Sequence, residues 1–566
     1  MRRGKTFWSM AVSIVLVLSL FLSACSGGGG SEDTGSSSGD SEGNTEKELA
    51  DKQELHFREP SDLPSADLSK ATAADAHALL ERVKAGLIFI ENGKAVPDMA
   101  AEMPKVSDDG KTYTFTIRDD AVWSDGSPVT AQNFVYSWRR GIDPDTASQY
   151  AYIFGEANIK NATKITNEDS DLYGKVKKLG VKALDKHTLQ VKLEQATPYF
   201  TSMMSFATFY PLKKSFVEKQ GEDYAQEPEN LLYNGAYTFK EWDHGSSYTI
   251  VKNDKYWNAD KVNIEKATFN VVKKTNTAIN LYKKGKIDLV GLSGDRVDKY
   301  KDSSELSQIL DNCVYFLKLN LDTDPALKNK KVRQAMSMVM NRKEATDVLM
   351  NNGSIPAQYI VPKDFVKGPN GKDFRAGVDD YLPGDQKEAK KLWKEAKEEL
   401  GFDTIELELL TTDSEYAGKL AENNANALEQ LPGLKVSINK QPWNSYLKKS
   451  NTGNYEIAGG SGWCPDYRDP MTYLSLFVSS NESYHPVGWE SDKFDSLINK
   501  ANQLGNQQEK RWDVLHQAEE NLIKEAAIIP TYQKGVSQLV KPYVEGMKFQ
   551  NYGLKKFFRY AKVYKH

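Results

Sequence analysis

The stretch Gly459-Gly460-Ser461-Gly462-Trp463-Cys464-Pro465-Asp466-Tyr467-Arg468-Asp469-Pro470 decides how this chain is interpreted. Its glycines permit positive φ angles and the close approach of another backbone. Pro465 and Pro470 stop a helix or an inner strand from continuing, so the stretch is predicted to be a shaped loop. Asp466 and Asp469 then have two interpretations. They accept local backbone hydrogen bonds in a turn, or they pair with the positive end of a ligand whose main chain the glycines contact.

Composition excludes several classes of function. At 566 residues the chain is too long for one hydrophobic core and is expected to form two or three domains. A net charge of -4 gives no basic face for nucleic acid, so we expect no nucleic-acid partner. The seven histidines lack metal-ligand spacing, and neither Gly-x-Ser-x-Gly nor His-Glu-x-x-His occurs. We therefore predict no enzymatic activity, no metal and no cofactor.

The N-terminus is typical of an exported protein. Arg2, Arg3 and Lys5 precede an apolar run, which is the pattern of a signal peptide and predicts one over residues 1–24. Leu22-Ser23-Ala24-Cys25 resembles the lipobox of bacterial lipoproteins. That resemblance implies cleavage before Cys25 and a lipid anchor on its sulfur, the alternative being a free cysteine after a plain signal peptide.

Residues 25–54 are interpreted as the lipidated cysteine and a flexible tether. The segment after Cys25 consists almost entirely of Gly, Ser, Asp, Glu, Asn and Thr, which cannot bury apolar surface. The protein is therefore predicted to be extracytoplasmic and held at the outer face of the cell membrane.

Two cysteines remain, Cys313 and Cys464. Exported proteins occur where disulfides persist, and an even number of cysteines favours pairing. Two buried thiols that act as small apolar residues are the alternative, and the residues alone leave both open.

Periodicity predicts a mixed α/β protein. Alternation over residues 113–117 indicates a strand, and Thr130 stands where a helix N-cap belongs. A hairpin is predicted around residues 237–252, and the pattern restarts after Asp311 with a helix over residues 332–351. Helices and strands then alternate to about residue 525, which predicts a lobe with a largely parallel sheet.

Eight motifs are spread along the chain. They are Asp108-Asp109-Gly110-Lys111-Thr112-Tyr113-Thr114-Phe115, Trp123-Ser124-Asp125-Gly126-Ser127-Pro128-Val129-Thr130-Ala131, Phe134-Val135-Tyr136-Ser137-Trp138-Arg139-Arg140, Asn234-Gly235-Ala236-Tyr237, Tyr256-Trp257, Val332-Arg333-Gln334-Ala335-Met336-Ser337, Gly462-Trp463-Cys464-Pro465-Asp466-Tyr467 and Lys541-Pro542-Tyr543-Val544-Glu545-Gly546. As a set they resemble the motifs of the oligopeptide-binding proteins of ABC importers, which are solute-binding proteins of family 5. The likeness covers nearly everything from about residue 55 to residue 560.

The resemblance implies a fold and a set of domain boundaries. The fold is the α/β bilobal clamshell of type II periplasmic binding proteins, with a small inserted domain. Residues 55–86, 210–312 and 535–566 form the discontinuous lobe I, residues 87–209 form the inserted domain II, and residues 313–534 form lobe III.

The resemblance also implies a function and a site. The protein captures oligopeptides outside the cytoplasm by lobe closure and delivers them, as a monomer, to ABC permease subunits driven by cytoplasmic ATPases. Asp466 pairs with the peptide α-ammonium group, backbone groups near Gly462 and Cys464 bind the peptide main chain, and Cys464 forms a disulfide with Cys313. The implied peptide-binding residues are Asp466, Gly462, Cys464, Trp463, Tyr467 and Tyr150.

Some points stay open at this stage. A receptor for peptide pheromones and the same fold binding a non-peptide solute are alternatives. Trp443, Trp463, Tyr467 and Trp489 are candidates for side-chain pockets, although Trp443 is interpreted as a core residue. The chain has Gly459-Gly460-Ser461 where an arginine often stands in the family, and it has Thr72-Ala73-Ala74-Asp75 in place of glycine-rich residues. The group that receives the peptide C-terminus and the preferred peptide length are therefore unassigned.

Overall fold

The structure, a computed structural model, describes residues 47–481 and 485–566. The predicted signal peptide, the lipidated Cys25 and most of the predicted tether lie outside the described residues. Among the helices that are described, none is long and apolar enough to span a membrane.

The described strands range from two to fourteen residues, and the longest are two that pair with each other. In chain order they are β1 Glu54–Glu59, β2 Ile88–Glu91, β3 Lys94–Pro97, β4 Lys105–Val106, β5 Thr112–Thr116, β6 Val181–Ala183, β7 Thr188–Lys192, β8 Tyr237–Asp243, β9 Ser247–Lys252, β10 Lys266–Val271, β11 Leu289–Leu292, β12 Leu306–Leu319, β13 Ile355–Pro356, β14 Ile405–Thr412, β15 Leu434–Gln441, β16 Ile457–Trp463, β17 Ile528–Val540, β18 Val544–Glu545, β19 Lys548–Phe549, β20 Lys556–Phe557 and β21 Lys562–Val563.

The helices that cover the sheets are mostly short, and the longer ones come late in the chain. They are α1 Ala74–Val83, α2 Ala131–Gly141, α3 Ile153–Glu156, α4 Ala162–Thr166, α5 Phe200–Met203, α6 Lys214–Gln220, α7 Thr275–Lys283, α8 Asp295–Asp298, α9 Pro325–Lys328, α10 Lys330–Met338, α11 Arg342–Glu344, α12 Gln386–Leu400, α13 Glu415–Leu428, α14 Trp443–Asn451, α15 Met471–Leu474, α16 Asp492–Gln503 and α17 Gln508–Lys524.

Two four-stranded sheets build the first half of the protein. One has the strand order β1-β10-β9-β8, with β1 parallel to β10 and a β8–β9 hairpin that confirms the predicted one. The other is antiparallel, with the order β4-β5-β7-β6. Helix α2 begins after Thr130, whose backbone N–H donates to Asn133 Oδ1 at 2.8 Å, and it buries Phe134, Val135 and Trp138. The predicted N-cap is therefore confirmed.

The largest sheet has the order β11-β17-β12-β16-β14-β15, with β13 beside β17. Only β14–β15 and β14–β16 are parallel; β12 and β17 pair antiparallel with all their neighbours. The prediction of a largely parallel sheet is wrong. Helix crossovers, which favour parallel strands, link only β14, β15 and β16, and the remaining strands come from distant parts of the chain.

The prediction of one helix over residues 332–351 is also wrong, because the first helix there is much shorter. Helix α10 ends at Met338, and α11 begins after Asn341, whose side chain accepts a hydrogen bond from the backbone N–H of Glu344. A π-helix over Ala345–Met350 follows. The side chain of Asn341 starts a new helix here because it satisfies a backbone donor that would otherwise continue the old one.

The predicted lobe boundaries fall inside two long strands. Strand β12 passes through position 313 and β17 through position 535, and the two strands pair from Leu306–Leu539 to Lys318–Ile528. The boundaries themselves stay a prediction. If they hold, the large sheet is the one sheet among the described residues that both predicted lobes share.

A buried carboxylate on α17 ties a long loop to the core. Glu519 is fully buried, and its Oε1 accepts hydrogen bonds from the backbone N–H groups of Ile360 at 3.0 Å and Val361 at 2.9 Å. Its Oε2 pairs with Arg375. One side chain therefore satisfies two backbone donors and one buried cation.

We expect Glu519→Gln to lower the free energy of unfolding by about 3–5 kcal/mol, because it leaves the buried Arg375 without its counter-charge. Urea unfolding measures the change. Glu520→Gln is the matched control, because the exposed Glu520 forms an i,i+4 pair with Lys524 worth at most about 1 kcal/mol. Equal losses in both variants would contradict the assignment.

Candidate functional site

The loop between β16 and α15 is fixed at both ends. Cys464, the first residue after β16, forms a disulfide with Cys313 of β12. Asp469 forms a buried ion pair with Arg511 of α17, with N–O distances of 2.7 and 2.8 Å. The disulfide implied by the family resemblance is thus present in the structure. The intervening residues are held in one arrangement by a covalent bond and a buried charge pair.

Asp466 is a buried carboxylate in this loop. Its side chain is 9% exposed, and Oδ2 accepts a hydrogen bond of 3.4 Å from the hydroxyl group of Tyr152. No described lysine, arginine or histidine forms an ion pair with it. Burial raises the pKa of Asp466 well above its usual range, and the charge of Glu156 raises it further. The interpretation of Asp466 as a local turn acceptor is not supported, because its side-chain partner lies more than 300 residues away in sequence.

A second acidic group lies beside it. Oε2 of Glu156, at the end of α3, accepts a hydrogen bond of 3.2 Å from the Tyr467 hydroxyl group, and burial raises the pKa of Glu156 to about 7. The Tyr467 ring stacks on Tyr199 with a centroid distance of 4.7 Å. The two buried carboxyl groups are therefore close enough for the charge of Glu156 to act on Asp466, and such a pair favours a cationic group beside it.

Tyr150 stacks on Tyr152, the residue whose hydroxyl group donates to Asp466. Its ring is 5.7 Å from the Tyr152 ring, 5.3 Å from the His77 ring and 5.2 Å from the Phe206 ring. Burial lowers the pKa of His77 to about 4, so this imidazole is neutral at pH 7. The structure thus brings Tyr150 near Asp466 through an aromatic cluster, and α1 contributes to it.

Two other predicted site residues belong to β16 itself. Gly462 lies against Tyr315, and an added Cβ atom would come within 2.7 Å of the Tyr315 ring. Glycine is therefore required by this close approach. Trp463 is 8% exposed and packs in the main hydrophobic core.

A cavity of about 450 Å³ lies toward the other end of β16. None of the six predicted peptide-binding residues lines it. Its walls are largely aromatic and hydroxyl-bearing. The residues that line it include Arg58, Tyr315, Tyr416, Trp443, Gly459, Gly460, Tyr532 and Lys534. Trp443 is 49% exposed and lines this cavity, so its interpretation as a core residue is wrong.

The cavity forms where two parallel strands separate. Strand β14 pairs with β16 only at Leu409–Ile457 and Leu410–Ala458, and the residues that follow on both strands line the cavity. The chain goes from β14 to β15 on one side and then to β16 on the other. In α/β sheets ligands bind at such a reversal of strand order, beyond the carboxyl ends of the strands. The cavity is therefore a second part of the candidate site.

Sequence reasoning missed Tyr152, Glu156 and Tyr199 around Asp466. Their one sequence signal is a run of aromatic and acidic residues after Tyr150, and no periodicity connects that run to residue 466. No group of three or more His, Cys, Asp or Glu side chains that could hold a metal ion occurs among the described residues.

The raised pKa of Glu156 predicts a pH-dependent stability of the ligand-free protein. The unfolded chain titrates this group near 4.5, and the folded protein titrates it at about 7, so the folded state holds the extra proton between these values. The free energy of unfolding should therefore fall as the pH rises from about 4.5 to about 7. Urea unfolding from pH 5 to pH 8 should show a smaller slope for Glu156→Gln than for the unmodified protein. Identical slopes would contradict the assignment.

The disulfide closes a long loop, because its cysteines are 151 positions apart in sequence. In the chain-entropy model such a bridge adds about 5 kcal/mol to the free energy of unfolding. We expect the Cys313→Ser, Cys464→Ser double variant to unfold at a lower urea concentration. Reduction of the unmodified protein should reproduce this shift, and reduction of the double variant should have no effect.

Comparison with known proteins identifies relatives over almost the whole chain. Residues 94–485 match the family model of bacterial extracellular solute-binding proteins, family 5. The chain is 31% identical over 541 residues to the oligopeptide-binding protein OppA of Bacillus subtilis, covering 93% of this chain and 94% of that protein. The substrate-binding domain of an oligopeptide ABC transporter from Bacillus anthracis superposes with a TM-score of 0.84 at 37% identity, covering 92% of this chain and all of that one.

A third relative bears on conformation. The murein tripeptide-binding protein MppA of Escherichia coli is 30% identical; its two structures cover 92% of this chain and 100% and 99% of their own. The TM-score is 0.81 with one structure and 0.66 with the unliganded open form. The arrangement described here is therefore closer to the first than to the open form. Other relatives carry names that refer to dipeptides, a pheromone receptor or deoxycholate.

These similarities decide the family and confirm the expected fold class, a mixed α/β bilobal fold of the type II periplasmic binding proteins. They also agree with the expectation of a non-enzymatic protein, because the family consists of solute-binding proteins. The chain belongs to the bacterial extracellular solute-binding proteins of family 5.

Proposed function

We propose that this protein captures oligopeptides outside the cytoplasm and delivers them to an ABC permease for import. Relatives that match more than nine-tenths of the chain are named for oligopeptide binding and for an oligopeptide ABC transporter. The permease subunits and their cytoplasmic ATPases are the partners that this role requires. The lipid anchor on Cys25 and the monomeric state are part of the same proposal.

One observation supports the proposal at the level of single residues. The Asp466 carboxylate is buried and forms no ion pair with a described cation. A carboxylate in this setting is either protonated or costs several kcal/mol, and an ammonium group of the ligand would remove that cost. Glu156 beside it strengthens the attraction for a positive charge. The free α-amino group of a peptide supplies such a charge whatever the peptide's side chains are.

Main-chain recognition fits the strand that leads to Asp466. Pairing of β16 with β14 ends at Ala458, so the residues of β16 that follow have no described strand partner on this side, where an extended peptide would pair with them. The backbone near Gly462 and Cys464 would bind the ligand's main chain, with Trp463, Tyr467 and Tyr150 at its N-terminal end. Such contacts tolerate many side chains because each residue of the ligand presents the same backbone groups.

Closure of two lobes would bury the ligand. Strands β12 and β17 are the sheet elements that cross between the predicted lobes, and a ligand that contacts both lobes stabilises the closed arrangement by its preference for that state. When the lobes open, the transported solute separates from the protein side chains that balanced its charges. A movement of the two lobes about positions 313 and 535 is what the predicted domain boundaries imply.

A receptor for a peptide pheromone and a carrier of a non-peptide solute are the alternatives within the family. One relative is a pheromone receptor and another is a probable deoxycholate-binding protein. A peptide receptor would use the same amine contact, so the Asp466 site does not separate import from signalling. A steroid acid such as deoxycholate has no amine, and the two carboxyl groups around Asp466 disfavour it.

The test is a titration of the soluble domain, stripped of ligand by unfolding and refolding, with peptides of three to six residues. Each peptide is supplied with a free and with an acetylated N-terminus. A peptide present at 100 times its Kd should add about 2.7 kcal/mol of stability, which thermal unfolding detects. We expect stabilisation by the free peptides and little by the acetylated ones.

Asp466→Asn provides the matched variant. It should lose most of the preference for a free N-terminus, because removal of one partner of a buried charge pair costs roughly 2–5 kcal/mol. Asp492→Asn, in the first turn of α16, is the control and should keep the preference. If the unmodified protein responds to none of the peptides, peptide import is the wrong function.

A further inference from the structure

The Cys313–Cys464 disulfide lies beside a cation that the proposed peptide site does not use. Nζ of Lys555 is 2.9 Å from Cys313 Sγ and 3.6 Å from Cys464 Sγ. Lys555 comes from the segment between β19 and β20 near the end of the chain, whereas the cysteines belong to β12 and to the loop after β16. An ammonium group is therefore placed against a bond that carries no charge of its own.

The surroundings of Lys555 favour a second negative charge beside it. Its Nζ forms a salt bridge of 2.6 Å with Oδ2 of Asp311, and that oxygen is 3.4 Å from Cys313 Sγ. Burial lowers the pKa of Lys555, the Asp311 carboxylate opposes this effect, and the charge of Lys534 adds to it. An anion at Cys313 would be nearer to the ammonium group than to the carboxylate, and it would offset the repulsion between the two lysines.

A cysteine sulfur in such a position is a good leaving group. Thiolates are stabilised beside lysine or arginine, where the pKa of the thiol falls below its ordinary value of about 8.5. In thiol–disulfide exchange, the sulfur whose thiol has the lower pKa leaves faster. Cys313 is the closer of the two cysteines to Lys555, so Cys313 is the expected leaving group.

Access to the two cysteines favours the same direction of attack. Cys313 is fully buried, whereas Cys464 is partly exposed. An external thiol therefore meets Cys464 first. The bond that breaks then places the new negative charge on the residue that Lys555 contacts more closely.

We propose that the Cys313–Cys464 disulfide is a site of thiol–disulfide exchange, at which a small or protein thiol attacks Cys464 and Lys555 stabilises the departing Cys313 thiolate. The external thiolate forms a bond to Cys464 Sγ, the bond between the two cysteine sulfurs breaks, and its electron pair stays on Cys313. A second thiol attacks the external sulfur of this mixed disulfide and releases Cys464. Two thiols are thereby oxidised to one disulfide, the cysteine pair gains two electrons, and the protons of the thiols pass to the cysteines or to the solvent.

Exchange at this site would change the loop that contains Asp466. The disulfide and the Asp469–Arg511 ion pair hold the two ends of this loop, and Asp466 lies two residues after Cys464. Reduction removes the first of these anchors and leaves the second. A peptide would then have to order the loop as it binds, which weakens binding. This consequence rests on the proposed peptide-binding function, whereas the exchange itself does not.

The first experiment maps where a monothiol becomes attached. The full-length protein is mixed with glutathione at pH 8, samples are alkylated with iodoacetamide at early times, and peptide mass spectrometry follows each cysteine separately. We expect glutathione on Cys464 and the alkyl group on Cys313, at a rate proportional to the glutathione concentration. Glutathione on Cys313 to an equal or greater extent overturns the proposal. A rate that does not depend on glutathione, because unfolding limits it, also overturns it.

Variants of Lys555 test the role of the cation. If loss of its charge raises the pKa of the leaving thiol by one unit, Lys555→Gln should be reduced roughly threefold more slowly, for a Brønsted coefficient of about 0.5. Lys555→Arg keeps the charge and should stay close to the unmodified rate. Lys562→Gln is the control, because Lys562 is an exposed residue of β21, and it should leave the rate unchanged.

The direction of the change separates this role from a merely structural one. A loosened loop exposes both sulfurs and speeds their reduction, whereas loss of the stabilising cation slows it. Reduction of a folded Lys555→Gln protein at the unmodified rate or faster overturns the role of Lys555. If this variant does not fold, the double variant Asp311→Asn, Lys555→Gln takes its place, since it leaves no unpaired carboxylate at Asp311.

The effect on binding is measured by calorimetry with a peptide whose N-terminus is free. We expect reduction to raise the Kd of the unmodified protein roughly tenfold, which corresponds to about 1.4 kcal/mol. The reductant should leave the Kd of the Cys313→Ser, Cys464→Ser double variant unchanged. An equal Kd before and after reduction overturns the effect on the loop. If no peptide binds to the oxidised protein, the proposed function fails, and the mapping of glutathione still decides the exchange.

Discussion

The antiparallel pairing of β12 with β17 is the constraint on which most of the structure depends. These strands form the longest ladder in the large sheet, and a residue of each strand contacts one part of the candidate site. Cys313 of β12 holds the loop that contains Asp466, while Lys534 of β17 enters the cavity. Both strands also run through the predicted lobe boundaries, and their pairing covers residues on either side of these boundaries.

Charge is distributed differently in the framework and in the site. Some buried framework charges are ion-paired, as in Asp469–Arg511 and Glu519–Arg375, while others, such as Arg333 and Arg342, donate hydrogen bonds to backbone carbonyls. Around Asp466 the described carboxyl groups have phenol hydrogen bonds but no cation, and the cavity has cations but no described carboxylate. Under the proposed function, the α-ammonium group of a peptide would supply the positive charge that the surroundings of Asp466 lack. An unpaired buried charge is costly, so the empty site is less stable than a site whose charges are paired by a ligand. The same cost makes the site selective for ligands that supply the opposite charge.

Local sequence signals predicted much of the secondary structure correctly. The capped start of α2 and the β8–β9 hairpin depend on residues close in sequence, and both are confirmed. The predicted parallel sheet and the single helix over residues 332–351 failed for different reasons. Strand direction depends on partners far away in the chain, while the helix was interrupted by one asparagine that satisfies a backbone donor of the next helix.

The candidate site likewise combines features that the local sequence predicts with features that only the folded chain creates. From the glycines, prolines and acids of residues 459–470 alone, the sequence predicted a shaped loop, and its family resemblance identified Asp466 and the Cys313–Cys464 pair. Sequence could not identify Tyr152, Glu156, Arg58 or Lys534 as members of the site, because their proximity to it is created by contacts between residues hundreds of positions apart. It also misassigned Trp443, since an aromatic residue has the same local pattern in a core and on a cavity wall. The sequence by itself determined the family, the loop and its acid. The tertiary structure alone decided which groups surround that acid and where the cavity lies, because burial and pairing are properties of the folded chain.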